Sequence, residues 1–138
     1  MNSNKTTFKR YCKTLTLEND PELIDRYKEV HQHVWPEIGQ GMMEVGILDM
    51  EIYIHENQLF MIMETVPDFD HEKAMKKLAE KPRQSEWEAY VSRFQQSPGE
   101  ASADEKWQLM ERVFKLDQSS KHNPAIDGQI EQFPNTSP

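Results

Sequence analysis

The stretch Leu48-Asp49-Met50-Glu51-Ile52-Tyr53-Ile54-His55 alternates without a break, and Glu56-Asn57 carries it into Gln58-Leu59-Phe60-Met61-Ile62-Met63-Glu64-Thr65-Val66. Successive strand side chains point to opposite faces. Leu48, Met50, Ile52 and Ile54 are therefore expected on one face, and Asp49, Glu51, Tyr53 and His55 on the other. The second run is apolar on both faces as far as Glu64, the pattern of a central strand. Two such runs joined by two residues predict an antiparallel hairpin.

Upstream of the hairpin, Thr7 to Leu17 is rich in β-branched and aromatic residues and ends at Glu18-Asn19-Asp20-Pro21, so it reads as a first strand. Asp20 can cap a helix, Pro21 suits the first turn, and Glu22 sits at the positive end of the dipole. Leu23, Tyr27, Val30, Val34 and Ile38 then recur at three- and four-residue steps, which predicts a helix over 21–35 with one buried face. Pro36 removes a donor and pushes Trp35 out of the α region, so this helix is expected to stop or kink there. Gly39-Gln40-Gly41 follows before the hairpin.

Downstream, Asp68 to Ala79 reads as a helical region interrupted by Lys81-Pro82, and Trp87, Tyr90, Val91 and Phe94 mark a further helix. Gln95 to Glu105, with Pro98-Gly99, reads as a loop and Trp107 to Leu116 as a last strand. The polar run from Asp117 onward is expected to be mobile, or ordered only by a neighbour. The order predicts an α+β protein of the ferredoxin-like β-α-β-β-α-β plan, with an antiparallel sheet. The expected organisation is a disordered stretch over 1–6, one domain over 7–117 and a polar tail over 118–138. A sheet with helices on one face needs cover on the other, so a homodimer of the dimeric α/β barrel type is expected.

Composition narrows the function. A chain of 138 residues, 36% hydrophobic and 29% charged, fits one soluble domain with a single core. A formal net charge of -8 repels nucleic acid and anionic membranes, which leaves a neutral or cationic small molecule as the expected partner. The single cysteine, Cys12, forms no internal disulfide and agrees with a reducing compartment. The first residues lack an apolar signal core, and no run approaches the ~20 apolar residues of a spanning helix, so the cytoplasm is the expected location.

Several residues are candidates for chemistry. Tyr27, His31 and Trp35 follow one another by four and are expected to form a ladder, two aromatics around one titratable ring. Histidine ordinarily titrates near neutrality and suits general acid/base work, although periodicity alone describes His31 first as a half-buried helix residue. His33 lies about 200° around the helix from His31, so the two cannot share a metal ion, and no metal is expected. Asp49, Glu51, Tyr53 and His55 form either a solvated or interface face, or one that meets the His31 helix and brings an acid and a base together. Trp87 reads equally as core or as a platform for the apolar face of a sugar, and Trp35, released by Pro36, has the better case as a sugar contact. The eight methionines read as adaptable core filler. Without a Gly-rich phosphate loop, a Ser-His-Asp set or a Cys cluster, nucleotide cofactors and acyl transfer lack support.

Taken together, Tyr27, His31-Gln32-His33-Val34-Trp35-Pro36-Glu37, Glu51-Ile52-Tyr53, the Trp87 helix and Met110-Glu111-Arg112-Val113-Phe114 resemble the L-rhamnose mutarotase family over about residues 7 to 117. The resemblance implies a small dimeric ferredoxin-like protein that interconverts the α and β anomers of a 6-deoxy-L-sugar without cofactor or metal. It makes His31 the proton donor and makes helix tryptophans and a strand tyrosine sugar contacts. With the residues singled out above, the candidates are His31 and Glu51 for catalysis, and Tyr27, Trp35, Asp49, Met50, Tyr53 and Trp87 for binding, with Asp49 or a second histidine as other bases. Met50 stands where the family carries a tyrosine, a single Trp87 replaces a tandem pair, and Asp49-Met50-Glu51 looks more like members associated with L-fucose. The alternatives are a non-catalytic dimeric binding module of the same fold and, more remotely, a cofactor-free or haem-dependent monooxygenase.

Overall fold

The computed structural model describes residues 7–96, 106–116 and 123–124. Its elements follow the order β1 (Lys9–Thr16), α1 (Pro21–Val30), α2 (Pro36–Glu44), β2 (Ile47–His55), β3 (Gln58–Thr65), α3 (His71–Ala79), α4 (Gln84–Ser92), β4 (Gln108–Leu109) and β5 (Asn123–Pro124). Four strands form an antiparallel sheet in the order β2-β3-β1-β4, and β5 joins β1 in parallel.

The hairpin forms as its alternation demands, with Met50 opposite Met63, Ile52 opposite Met61 and Ile54 opposite Leu59. One detail differs. The register shifts between Ile47 and Asp49, so Leu48 is bulged out and exposed while Ile47 takes the buried place expected for Leu48. A bulge adds one residue to one strand and leaves it unpaired, a local event that alternation does not reveal. The inward face thus carries Ile47, Met50, Ile52 and Ile54 from β2, Leu59, Met61 and Met63 from β3, and Tyr11, Lys13 and Leu15 from β1.

All four helices pack on that face. Tyr27 of α1, Ile38 of α2 and Trp87 and Val91 of α4 close over Leu15, Leu17 and Leu59, while Ala74 and Leu78 of α3 close over Tyr11, Ile47, Met61 and Met63. Asp20 caps α1 by accepting from the Glu22 amide at 3.0 Å, and Asp70 caps α3 by accepting from the Lys73 amide at 3.2 Å.

Two expectations change. The helix expected over 21–35 ends at Val30 with His31 as its C-cap, and a separate helix, α2, begins at Pro36, in a stretch to which no element is assigned from sequence. Pro36 is the cause. It keeps Trp35 extended at φ -60°, ψ 137°, and its fixed φ suits the first turn of a new helix. Gly39 and Gly41 are then helical, and a Cβ on Gly41 would lie 3.1 Å from Cβ of Lys81, so the second glycine allows α2 to approach the segment that joins α3 to α4. The last strand, expected over Trp107 to Leu116, pairs with β1 only at Gln108 and Leu109. Farther along the same edge β1 is paired by β5, at Lys9 and Arg10, and Glu111 to Leu116 lie off the ladder. Residues 1–6 and most of the tail fall outside the described residues. No helix among those described is long and apolar enough to cross a membrane.

Candidate active site

Between the sheet and the helices lies a cavity of about 400 Å³. Its floor is the inward face of the sheet, with Lys13, Met50, Ile52, Met61 and Met63. Its walls come from Tyr27 and His31 at the end of α1, Met42 of α2, Met75 of α3, and Gln84, Trp87 and Glu88 of α4. Lys106 and Trp107 close one side. Five of the eight methionines line this space, so thioethers that fill the core, as expected, also give the cavity an adaptable apolar lining.

His31 is the best-placed titratable group. It is the C-cap residue of α1, still αR at φ -79°, ψ -3°, and its Nδ1 lies 2.9 Å from the carbonyl oxygen of Tyr27. A carbonyl only accepts, so Nδ1 carries a proton and Nε2 is left for exchange. The Tyr27 ring lies 4.1 Å from the imidazole, tilted 31°, and the Trp87 ring meets it edge-on at 5.5 Å. Burial between them lowers the His31 pKa below its usual 6.5, only partly opposed by the Tyr27 carbonyl. The same burial pushes the Tyr27 phenol far above its ordinary range, which removes it as a base at neutral pH.

Tyr27, His31, Met50 and Trp87 are thus brought together, and the other four sequence-derived candidates are not. Trp35 was expected to bracket His31, but because α1 ends at Val30 it swings to the far side of Trp87, with ring centroids 5.1 Å apart. There it stacks on Tyr90 at 6.0 Å and carries the Arg83 guanidinium 4.0 Å over its ring. Arg83, held at φ 65°, also stands 3.8 Å from Glu37, so the Trp-Pro-Glu sequence is clamped against α4 and fixes Trp87 from behind. Asp49, Glu51 and Tyr53 project from the outer face of the sheet, opposite Glu64, Ile62 and Phe60, and are turned away from His31 of the same chain. Tyr53 donates to Glu51 at 3.0 Å, and Asp49 accepts from the Met50 amide at 2.9 Å. His33 is exposed in a shallow groove beside Arg26, Trp35 and Tyr90. Among the described residues no group of three or more metal-ligating side chains forms.

Sequence reasoning missed Lys13, Gln84, Glu88, Gln95, Lys106 and Trp107. Lys13 carried a usable signal. It falls in phase with Tyr11, Leu15 and Leu17 and is only 3% exposed, a charged residue on the buried phase of a strand. Lys106 donates to Ser92 at 2.8 Å, and Gln84 donates to Glu88 at 3.0 Å. The cavity thus combines an apolar, thioether-rich bed with convergent proton donors and acceptors, the composition of a small-molecule site.

Residues 10–116 match the family model described as L-rhamnose mutarotase. A UPF0734 protein of Dictyostelium discoideum is 36% identical over 114 residues, covering 80% of this chain and 91% of that protein. The L-fucose mutarotase of Xanthomonas campestris pv. campestris is 32% identical over 115 residues, covering 82% and 92%. The crystal structure of an L-rhamnose mutarotase from Formosa agariphila superposes with a TM-score of 0.58 at 22% identity, covering 79% of this chain and 99% of that one, and shows the shared fold. The span of the model match and the identity to these relatives place the chain in the L-rhamnose mutarotase family.

Proposed function

We propose that this protein interconverts the α and β anomers of a 6-deoxy-L-sugar, L-rhamnose or L-fucose, by acid/base opening and closing of the ring, without cofactor or metal. The observation that carries this reading is the oriented imidazole of His31 in the cavity between the sheet and the helices. Its Nδ1 is committed to the Tyr27 carbonyl, and its other nitrogen is left to exchange a proton.

The chemistry asks little of the protein. Opening moves one proton onto the ring oxygen and one off the anomeric hydroxyl, and closing on the other face of the carbonyl reverses both. The reaction already runs in water, so one or two positioned groups worth ~10² to 10⁴ each are enough. In this reading His31 is the donor to the ring oxygen. Burial makes its imidazolium a readier acid than that of free histidine. The methyl group of a 6-deoxy sugar suits a bed of Met50, Met61 and Met63, and Trp87 offers an aromatic wall to the sugar's C–H face.

The protein is further read as a cytoplasmic homodimer of the ferredoxin-like, dimeric α/β barrel type, in which a second copy covers the outer face of the sheet. The β2-β3-β1-β4 order and the one-sided placement of the helices support that reading.

The test is NMR saturation transfer between the anomer signals of each sugar. The exchange rate is expected to rise with added protein for at least one of L-rhamnose and L-fucose. Equal exchange with and without protein, for both sugars, would overturn the proposal and favour a binding module.

A further inference from the structure

A row of polar side chains on and just beyond α4 faces the same cavity as His31. Gln84, Glu88 and Gln95 all line it, at spacings that return to one side of a helix. Gln84 Nε2 donates to Glu88 Oε2 at 3.0 Å. Only the NH₂ of a carboxamide can donate to a carboxylate, so this bond also fixes where the Gln84 oxygen points. That oxygen is buried and meets no donor, although the residue is only 3% exposed. Gln95, 5% exposed, likewise has a buried side-chain oxygen without a donor. Buried acceptors without partners are costly and rare, and here both residues that carry them line one cavity. A ligand rich in O–H groups supplies what both lack.

Glu88 is the carboxylate in that wall. Among the described lining residues the other ionisable groups are His31, Tyr27, Lys13 and Lys106, so Glu88 is the one carboxylate sharing the cavity with the imidazole. Trp87, whose ring contacts His31, lines the cavity together with both His31 and Glu88.

We propose that Glu88, oriented by Gln84, is the second proton-transfer group of this cavity, taking the proton of the anomeric hydroxyl while His31 protonates the ring oxygen, and that the free Gln84 oxygen accepts an adjacent ligand hydroxyl. This assignment rests on the mutarotase reading. In the opening half the O1 proton passes to the Glu88 carboxylate and the O1–H electron pair forms the C1=O1 bond. The C1–O5 bond breaks with its electron pair going to O5, which receives the proton from Nε2 of His31. The carboxylate becomes an acid and the imidazolium becomes neutral, so charge is conserved and no other reactant is needed. After rotation about C1–C2 the O5 hydroxyl adds to the opposite face, its proton returns to His31, and Glu88 reprotonates O1.

The experiment uses the full chain and whichever sugar the wild-type protein accelerates. Glu88→Gln preserves size and a bond to Gln84. It is expected to lower kcat for anomer exchange at least about 100-fold. The same variant is expected to hold sugar, read by quenching of Trp87 and Trp107 fluorescence, within about three-fold of wild type. Gln84→Leu is expected to raise KM at least about ten-fold by removing the hydroxyl acceptor. Wild-type kcat in a folded Glu88→Gln variant would overturn the assignment. Should that variant not fold, Glu88→Asp decides, since withdrawing the carboxylate by one methylene is expected to lower kcat about ten-fold or more, and an unchanged kcat overturns it. A wild-type protein that accelerates neither sugar overturns the mutarotase reading itself and this assignment with it, an outcome distinct from an active wild type with an equally active Glu88→Gln.

Discussion

Nδ1 of His31 lies 2.9 Å from the backbone carbonyl oxygen of Tyr27, one turn back along the chain, and this contact sets the working atom of the imidazole. The same carbonyl also accepts the His31 backbone N–H at 3.2 Å, so the end of α1 orients the ring through the main chain alone, without a second side chain. One C-cap residue thus places both its amide and its ring Nδ1 on the same carbonyl, which leaves Nε2 as the nitrogen available for proton exchange.

Removing the ring tests that assignment most directly. His31→Ala is expected to reduce protein-dependent anomer exchange at least about 100-fold, measured by saturation transfer. Glu51→Gln, on the outer face of the sheet, is expected to leave the rate within about two-fold, because Glu51 of the same chain is turned away from the cavity. A large loss in Glu51→Gln would instead restore Glu51 as the base.

Stability is expected to depend on pH through His31. Its native pKa is lowered by burial, so as pH falls the unfolded chain takes up this proton first, near 6.5, while the native state resists until lower pH. Protons then favour unfolding. The stabilisation is present above pH 6.5 and is lost as pH falls from there to the depressed native value. Thermal melts between pH 7.5 and about 5 are expected to show a falling Tm in wild type and a flatter profile in His31→Gln. Equal slopes would show that the ring is not buried in solution.

The contrast between legible and illegible parts of this molecule is physical. The hairpin was legible because alternation and a two-residue turn are local properties of the chain, whereas the bulge at Leu48 depends on pairing that alternation does not encode. Helix α2 was hidden because two glycines within three residues weaken any helical signal, although the second glycine serves packing against Lys81. His31 and Tyr27 could be placed together because they are one turn apart. The Trp87 wall, the Arg83 clamp and the Gln84–Glu88 pair come from a distant helix whose approach no local pattern fixes. Trp35 was misplaced for the same reason. The ladder assumed a helix continuing to Trp35, and α1 stops at Val30.

Trp35 and Trp87 are therefore expected to separate in a kinetic experiment. Trp35 lies behind Trp87, stacked on Tyr90 and under Arg83. Trp35→Ala is expected to destabilise the fold by about 2 to 4 kcal/mol in urea unfolding while changing KM for the sugar less than about three-fold. Trp87→Phe, which alters the cavity wall itself, is expected to raise KM about ten-fold or more. A raised KM in Trp35→Ala with unchanged stability would return Trp35 to the sugar site.

Gly46 joins α2 to β2 at φ 106°, a conformation that L side chains rarely adopt. A Cβ there would lie 3.1 Å from Cγ2 of Val66 and 3.2 Å from Cδ1 of Phe69. The backbone is held in place on both sides, since Gly46 donates to Met43 and accepts from the Val66 amide. Gly46→Ala is expected to cost about 1 to 3 kcal/mol, read by urea unfolding. A neutral substitution would mean that this turn relaxes at little cost.

The outer sheet face supplies the test of the proposed dimer. Leu48 and Tyr53 are exposed there, and Phe60 and Ile62 of β3 lie on the same side as Tyr53 and Glu51, with which they pair. Beyond β4, Val113 and Phe114 are 93% and 73% exposed, a second apolar surface left open by a single chain. Burying these surfaces against a second copy is the expected arrangement, giving twice the 16.3 kDa chain mass by sedimentation at micromolar concentration. Ile62→Asp places a charge at the centre of that face and is expected to yield monomer. The cavity is lined by His31, Trp87 and Glu88 of one chain, so the monomeric variant is expected to keep its exchange rate per chain within about three-fold. A folded monomer without activity would show instead that the partner subunit completes the site, and the outer-face carboxylates Asp49 and Glu51 would then be the first residues to substitute.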